Sequence, residues 1–235
     1  MTPSHLNSKT LRLTAALLAL AILPLSGALR AERPMSVDDA GTLDQGGAKV
    51  EFGLSKDDRM NGFDGAVGYG PIRTLEVEFN FAALRDGRVS PRDTIQGYGA
   101  AIKWVPLVAE TGLSAGLKYE YGHEHVDGGY STNTQALLGL ASWTFEAGPV
   151  VHLNLGWEWS RAGDEREHAG IWGIGLDCPL TEAFHVTVET FGTQHAKPDK
   201  ALGLRYEIVE GLKISAAYGY GNDRDFGNLG VAWEF

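Results

Sequence analysis

Cysteine occurs once in the 235 residues, at Cys178, so neither an internal disulfide framework nor a cysteine metal cluster can be built. Basic residues are the next shortage: 20 Lys and Arg stand against 30 Asp and Glu, a net charge of −10 that argues against nucleic acid as a partner. Long apolar runs are scarce as well. One spans Leu13 to Leu25, and nothing after it approaches the ~20 residues of a membrane-spanning helix. No glycine-rich loop of the phosphate-cradling kind is present. The 31 glycines are dispersed, as in Gly97-Tyr98-Gly99 and Gly173-Ile174-Gly175, where small residues let a curved sheet close and leave room inside it.

The single apolar run has an address written around it. Lys9 and Arg12 give a positive start, and Ser26-Gly27-Ala28 supplies the small residues that a signal peptidase needs. Residues 1–28 are therefore expected to be a cleaved signal peptide, with the mature chain beginning at Leu29. Cleavage after Ala31 is the alternative, disfavoured by Leu29 three residues upstream. An uncleaved anchor would need a longer run. Loss of Lys9 and Arg12, with no acid, deepens the net charge to −12. What remains, about 205 residues, is the size of one domain.

What the mature chain does have is alternation. Leu229, Val231, Trp233 and Phe235 point one way while Asn228, Gly230, Ala232 and Glu234 point the other, as a strand between lipid and a polar lumen requires. The pattern recurs in twelve predicted strands, near 48–55, 62–70, 73–82, 94–105, 112–123, 133–145, 149–160, 168–178, 183–192, 199–209, 211–221 and 227–235. Connections alternate too. Those after odd strands, such as His123 to Thr132 and Arg161 to Glu167, read as long and polar, whereas Gly70-Pro71-Ile72-Arg73 and Glu210-Gly211 read as tight turns. With the amino end periplasmic, an even strand count returns the carboxyl end to the same side.

These features predict an all-β fold: a transmembrane, antiparallel, up-and-down β-barrel of about 12 strands over 48–235 in the bacterial outer membrane. Trp104, Trp143, Trp157, Trp159, Trp233, Tyr119, Tyr121, Tyr218 and Tyr220 lie towards strand ends on the lipid face, where an amphipathic ring suits the headgroup level. A soluble sandwich or lipocalin-like barrel would alternate as well, but it would bury those rings and expose the charges. The terminal Phe235 is read as an assembly signal, by analogy with barrels whose last strand is recognised by the insertion machinery. Expected partners are thus outer-membrane lipid, that machinery and a small solute.

Arg33-Pro34-Met35-Ser36-Val37-Asp38-Asp39-Ala40-Gly41-Thr42, followed by Gly46-Gly47 and Val50-Glu51-Phe52-Gly53, resembles the start of the meta-pathway phenol-degradation proteins, the transporter-like outer-membrane barrels. Val37 departs from a pattern in which threonine is common. The resemblance implies an outer-membrane barrel handling small hydrophobic or aromatic compounds, and no catalytic residue. Taken from the residues, 29–47 has two readings. It is a structured periplasmic lead that sets the register of the first strand, since Asx and Gly make tight turns, or an inward-folded plug whose carboxylates pair with lumen cations.

Alternation places Glu76, Glu78, Lys103, Lys118, Glu120, His152, Glu158, His185, Glu189, Arg205, Glu207 and Lys213 in the lumen, with Lys49, Glu51, Asp64, Asp177 and Glu234. Paired interior charges that stabilise a closed sheet explain most of them. The surplus of acids suggests a mild preference for cations. The functional expectation is passive passage or binding of a small solute, with no cofactor, no metal and no enzymatic activity. A lipid-modifying or hydrolytic barrel is the alternative, and a structural or adhesive barrel the second. Hydrolysis needs a nucleophile, a base and an orienting group. His152 with Asn154, and His185 with Glu189, share faces, but no serine stands beside either in sequence. His123 and His125 lack a third metal ligand.

Overall fold

In the computed structural model the described residues are 33–87, 93–127 and 129–235. The signal peptide expected at 1–28, and its cleavage point, lie outside them. Twelve strands follow one another: β1 Ala48–Asp57, β2 Met60–Ile72, β3 Leu75–Asp86, β4 Asp93–Leu107, β5 Gly112–Val126, β6 Ser131–Thr144, β7 Val150–Ala162, β8 Glu165–Pro179, β9 Phe184–Thr193, β10 Asp199–Val209, β11 Leu212–Gly221 and β12 Arg224–Glu234. Each pairs antiparallel with its chain neighbours, and β1 pairs with β12, so the sheet closes on itself. The last residue completes the seam: Ala48 N–H donates to the Phe235 carbonyl at 2.8 Å, and Phe235 N–H returns a bond to Ala48 at 2.9 Å.

The period-2 pattern does the sorting. Along β3, Glu76, Glu78 and Asn80 are buried inside while Val77, Phe79 and Phe81 are exposed outside. This inverts a soluble protein, in which large apolar residues go in and charges out. Leu155 is 58 % exposed and Trp159 46 %, whereas Lys118 is 2 % and Glu189 5 %. An apolar skin over a charged interior is stable only against hydrocarbon. Among the described residues no helix is long and apolar enough to cross a membrane; the strands do so.

Pro71 and Pro106 sit where the ladder shifts register, between Tyr69 and Ile72 and between Trp104 and Leu107, so neither is asked for a ladder N–H. The outer connections are shorter than the sequence suggested. β1 and β2 are joined by Asp58 and Arg59, β7 and β8 by Gly163 and Asp164, β11 and β12 by Asn222 and Asp223. Asn222 and Asp223 both have positive φ, 46° and 60°, the geometry that matches strand twist in a two-residue hairpin. Polar residues past the membrane stay in the ladder and lengthen the strands, so the difference between long outer loops and short inner turns largely disappears.

Candidate functional site

The lumen has two unlike halves, and the difference begins with residues 33–47. From Arg33, at mid-height in the barrel, this segment travels around the inner wall before joining β1. Arg33 lies against Glu51 of β1, with Nε to Oε2 at 3.4 Å, and pairs with Asp64 of β2. Glycines clear the way. A Cβ at Gly53 or Gly230 would strike the Arg33 side chain, one at Gly203 would strike Pro34, and one at Gly175 or Gly173 would strike Met35 or Val37. Ser36 and Val37 then donate their backbone N–H groups to Glu189 at 2.7 and 2.8 Å. Asp38 exchanges two bonds with Asn154 of β7, at 2.6 and 2.8 Å. Ala40 N–H reaches Ser142 of β6, Leu43 N–H reaches Glu76 of β3, and Gly46 N–H reaches the Gly70 carbonyl.

The charges complete this strap. Asp38 lies 3.0 Å from Lys103 and also pairs with Lys118, while Asp39 holds Lys103 at 2.9 Å. Burial alone would raise both carboxyls, but the neighbouring ammonium groups outweigh it and hold Asp38 and Asp39 below the usual carboxylate range. Beside them Lys49 gathers Glu76 at 2.8 Å, Glu78 at 2.9 Å and Glu51 at 3.6 Å, and Lys118 holds Glu120 at 2.8 Å. Val37 is 1 % exposed, and Arg33, Met35, Asp38 and Ala40 are buried with it. Their burial shows the strap packed into the bore along this stretch.

Sequence-selected residues outside the strap form a second group. Asp177 pairs with Arg205 and lies 2.7 Å from His185 Nδ1. Glu207 accepts the N–H of Gly211 at 2.7 Å, and Lys213 stands 3.5 Å from Glu234 at the lower mouth. Glu158 is half-buried and faces the upper cavity. Phe235 is 64 % exposed, its ring 4.9 Å from that of Trp233 on the lipid side.

One partnership escaped sequence reasoning. Ser142 and His152 are opposite each other across β6 and β7, with Oγ 2.8 Å from Nδ1. Only the register of that hairpin reveals it. The hydroxyl is occupied by Ala40 N–H at 2.7 Å, and neither residue lines the upper cavity, so the pair anchors the strap rather than facing a solute. His123 and His125 bond Asn133 and Ser131 through Nδ1, and among the described residues no group of three or more potential ligands is arranged around a metal position.

Above the strap the lumen opens into a cavity of about 220 Å³. Val37 and Ser36 form its floor, and Met60, Leu84, Ile171, Phe191 and Phe226 supply apolar wall. Phe191 and Phe226 meet edge to face at 6.3 Å. At the mouth Arg224 joins Asp199 at 2.7 Å and Asp57 at 3.5 Å. Buried oxygens of Asp64, Asp199 and Asn228 that border the cavity have no hydrogen-bond donor. The space therefore offers apolar surface together with unsatisfied acceptors.

The chain belongs to the family described as uncharacterised conserved protein UCP029691, whose model matches residues 19–228. No curated protein matches it in sequence. Its fold is shared with solved outer-membrane barrels. The KdgM porin in complex with disordered oligogalacturonate superposes with a TM-score of 0.63 at 10 % identity, over 80 % of this chain and 99 % of that one. The COG4313 outer membrane channel from Pseudomonas putida F1 gives 0.60 at 9 % identity, over 84 % and 98 %. The translocator domain of the autotransporter NalP from Neisseria meningitidis gives 0.56 at 12 % identity, over 97 % and 98 %.

Proposed function

We propose that this chain is an outer-membrane channel for passive passage of a small solute, held closed at rest by its own amino-terminal strap. The observation that carries the reading is the division of the lumen: a cavity opening to the outer mouth stops at a floor of Ser36 and Val37, below which ion pairs fill the bore. Passage requires the strap to leave its seat. The fold that the chain shares with a porin and an outer-membrane channel supports this, as does the lipid-facing exterior.

The solute class follows from the cavity wall. Phe191, Phe226, Ile171 and Leu84 favour an apolar or aromatic body, and the unsatisfied oxygens of Asp64, Asp199 and Asn228 favour hydroxyl or amino donors on it. The resemblance of residues 33–47 to the phenol-degradation barrels points the same way. Fixed acids that outnumber bases along the bore would give a mild preference for cations, weakening with salt. A hydrolytic reading rests on Ser142 and His152 alone and is the weaker one, because the strap covers both.

Planar-bilayer recording tests the proposal. The mature full-length chain should conduct little, and a variant beginning at Gly46 after its signal should conduct at least tenfold more, both being checked for heat-modifiable folded barrel. A folded truncated barrel that passes no current would remove the channel reading.

A further inference from the structure

The outside of the barrel carries a charge pattern opposite to that of the whole chain. At the outer ends of β5 to β8 the lipid-side strand positions hold His125, Asn133, Gln135, Arg161, Arg166 and His168, while Asp127 and Asp164 lie in the connections beyond them. Arg161 and Arg166 are directly opposite each other across β7 and β8, and both are exposed. Two like charges in that position repel. Among the described residues neither guanidinium has a carboxylate partner; Arg161 donates only to the Gly163 carbonyl, at 3.0 Å. The acids of the same hairpin, Glu165 and Glu167, take the inward positions opposite Ala162 and Ser160, so on the outward side of the ladder the two arginines face each other without them.

The height of the pair is set by aromatics. Trp159 is opposite His168, Trp157 stacks on the His168 ring at 5.8 Å, and both indoles face lipid. Indoles mark the boundary between hydrocarbon and headgroups. Arg161 and Arg166 stand one step further out, on the rim opposite Ala48 and Phe235, where the headgroups of the outer leaflet lie. Leu155 and Ile174 continue the same surface down into the hydrocarbon.

We propose that the outer end of the β7–β8 hairpin is a binding site for a phosphate-bearing lipid of the outer leaflet. The two guanidinium forks would clamp the phosphate, a geometry that arginine suits better than lysine. His168, Asn133 and Gln135 would serve neighbouring oxygens, and the acyl chains would lie over Trp157, Leu155 and Ile174. The site rests on the outer-membrane reading but not on conduction, so its failure leaves the channel proposal standing.

Native mass spectrometry of the folded full-length barrel in a neutral detergent, titrated with diphosphorylated lipid A, tests this. Arg161→Gln with Arg166→Gln should weaken binding at least tenfold, and Lys200→Gln, on the outside of β10, should leave it unchanged. Dephosphorylated lipid A should bind the wild type no better than the phosphorylated form binds the double variant. Within the wild type alone, raising salt from about 0.05 to 0.5 M should weaken the phosphorylated lipid and spare the dephosphorylated one, by charge screening. Equal binding of the two lipids, or an unaffected double variant, would overturn the site. Displacement of the lipid by inorganic phosphate at the same concentration would show a site for free anions instead, and would overturn it equally.

Discussion

The two halves of the lumen are walled by the same twelve strands with the same alternation, yet they have opposite character. In the lower half the buried charges described above meet partners, and several partners come from one segment: Asp38 and Asp39 answer Lys103 and Lys118, and at the boundary with the upper half Arg33 answers Glu51 and Asp64. In the upper half the wall turns apolar at Met60, Leu84, Ile95, Phe191 and Phe226, and some acceptors have no donor. A closed sheet thus does not dictate what its bore contains. The lower half is complete only with a piece of chain added from outside the sheet, whereas the upper half is left as a space that a ligand could finish.

The largest effect should come from removing a cation beneath the strap. Lys103→Gln leaves Asp39 without its ammonium partner and Asp38 with Lys118 alone. Breaking a buried pair costs about 3–5 kcal/mol, which would shift the strap towards release by a hundredfold or more. The conductance of this variant should approach that of the chain beginning at Gly46. Arg59→Gln, which removes one partner of Asp86 at the outer rim, should leave the channel closed. If both variants open equally, the two halves do not differ in the way described.

On the outer surface no such division exists, so substitutions there should follow depth alone. Leu155 lies midway between Val151, beside Trp143, and Trp159 at the upper aromatic level. Leu155→Arg should therefore cost about 2–4 kcal/mol in vesicle refolding. Val77 is only one outward step from Leu75 and its partner Trp104 at the lower edge, so Val77→Arg should cost less. Equal costs at the two positions would mean that the hydrocarbon belt is drawn at the wrong height.

Acid offers a milder way to separate the halves. The Asp38 and Asp39 carboxyls lie below their ordinary value of about 3.9 in the seated strap. A depressed carboxyl contributes stability above its unfolded pKa, and that contribution is lost as pH falls through the folded one. Conductance should then stay low from pH 8 to 5 and rise only below about pH 4. Opening between pH 7 and 5 in bilayer recordings would assign control to some other group.

How far these features were legible in the sequence varies with the range of the interaction. Glu76 and Val77 could be assigned to opposite faces because alternation is a property of adjacent residues. All twelve strands were recognisable for the same reason, although β8 begins at Glu165, earlier than predicted, because polar residues on both faces erase the contrast above the membrane. The course of residues 33–47 has two readings in the sequence. Its partners, such as Glu189, Asn154 and Lys103, are scattered through the chain and mean nothing until the barrel closes. Asn154 shows the consequence: its position inside follows from alternation, but its two bonds with Asp38 do not. Ser142 and His152 were likewise hidden, since only the length of the turn between β6 and β7 aligns them.

The smallest effects belong to the upper half, where a ligand rather than the chain completes the site. Phe226 stacks edge to face with Phe191, and such an aromatic contact is worth about 0.5–1.5 kcal/mol beyond area. Phe226→Ala should accordingly weaken the binding of phenol by roughly twofold to tenfold in ligand-observed NMR, and the binding of toluene by a similar factor. Asn228→Ala should act differently, because its buried oxygen is an acceptor that phenol can satisfy and toluene cannot. It should weaken phenol alone. Ser142→Ala should change neither ligand, since that serine does not line the cavity and is engaged by Ala40 and His152. Should Ser142→Ala weaken phenol as much as Phe226→Ala does, the strap would be part of the solute site itself, and the boundary drawn at Val37 would have to be given up.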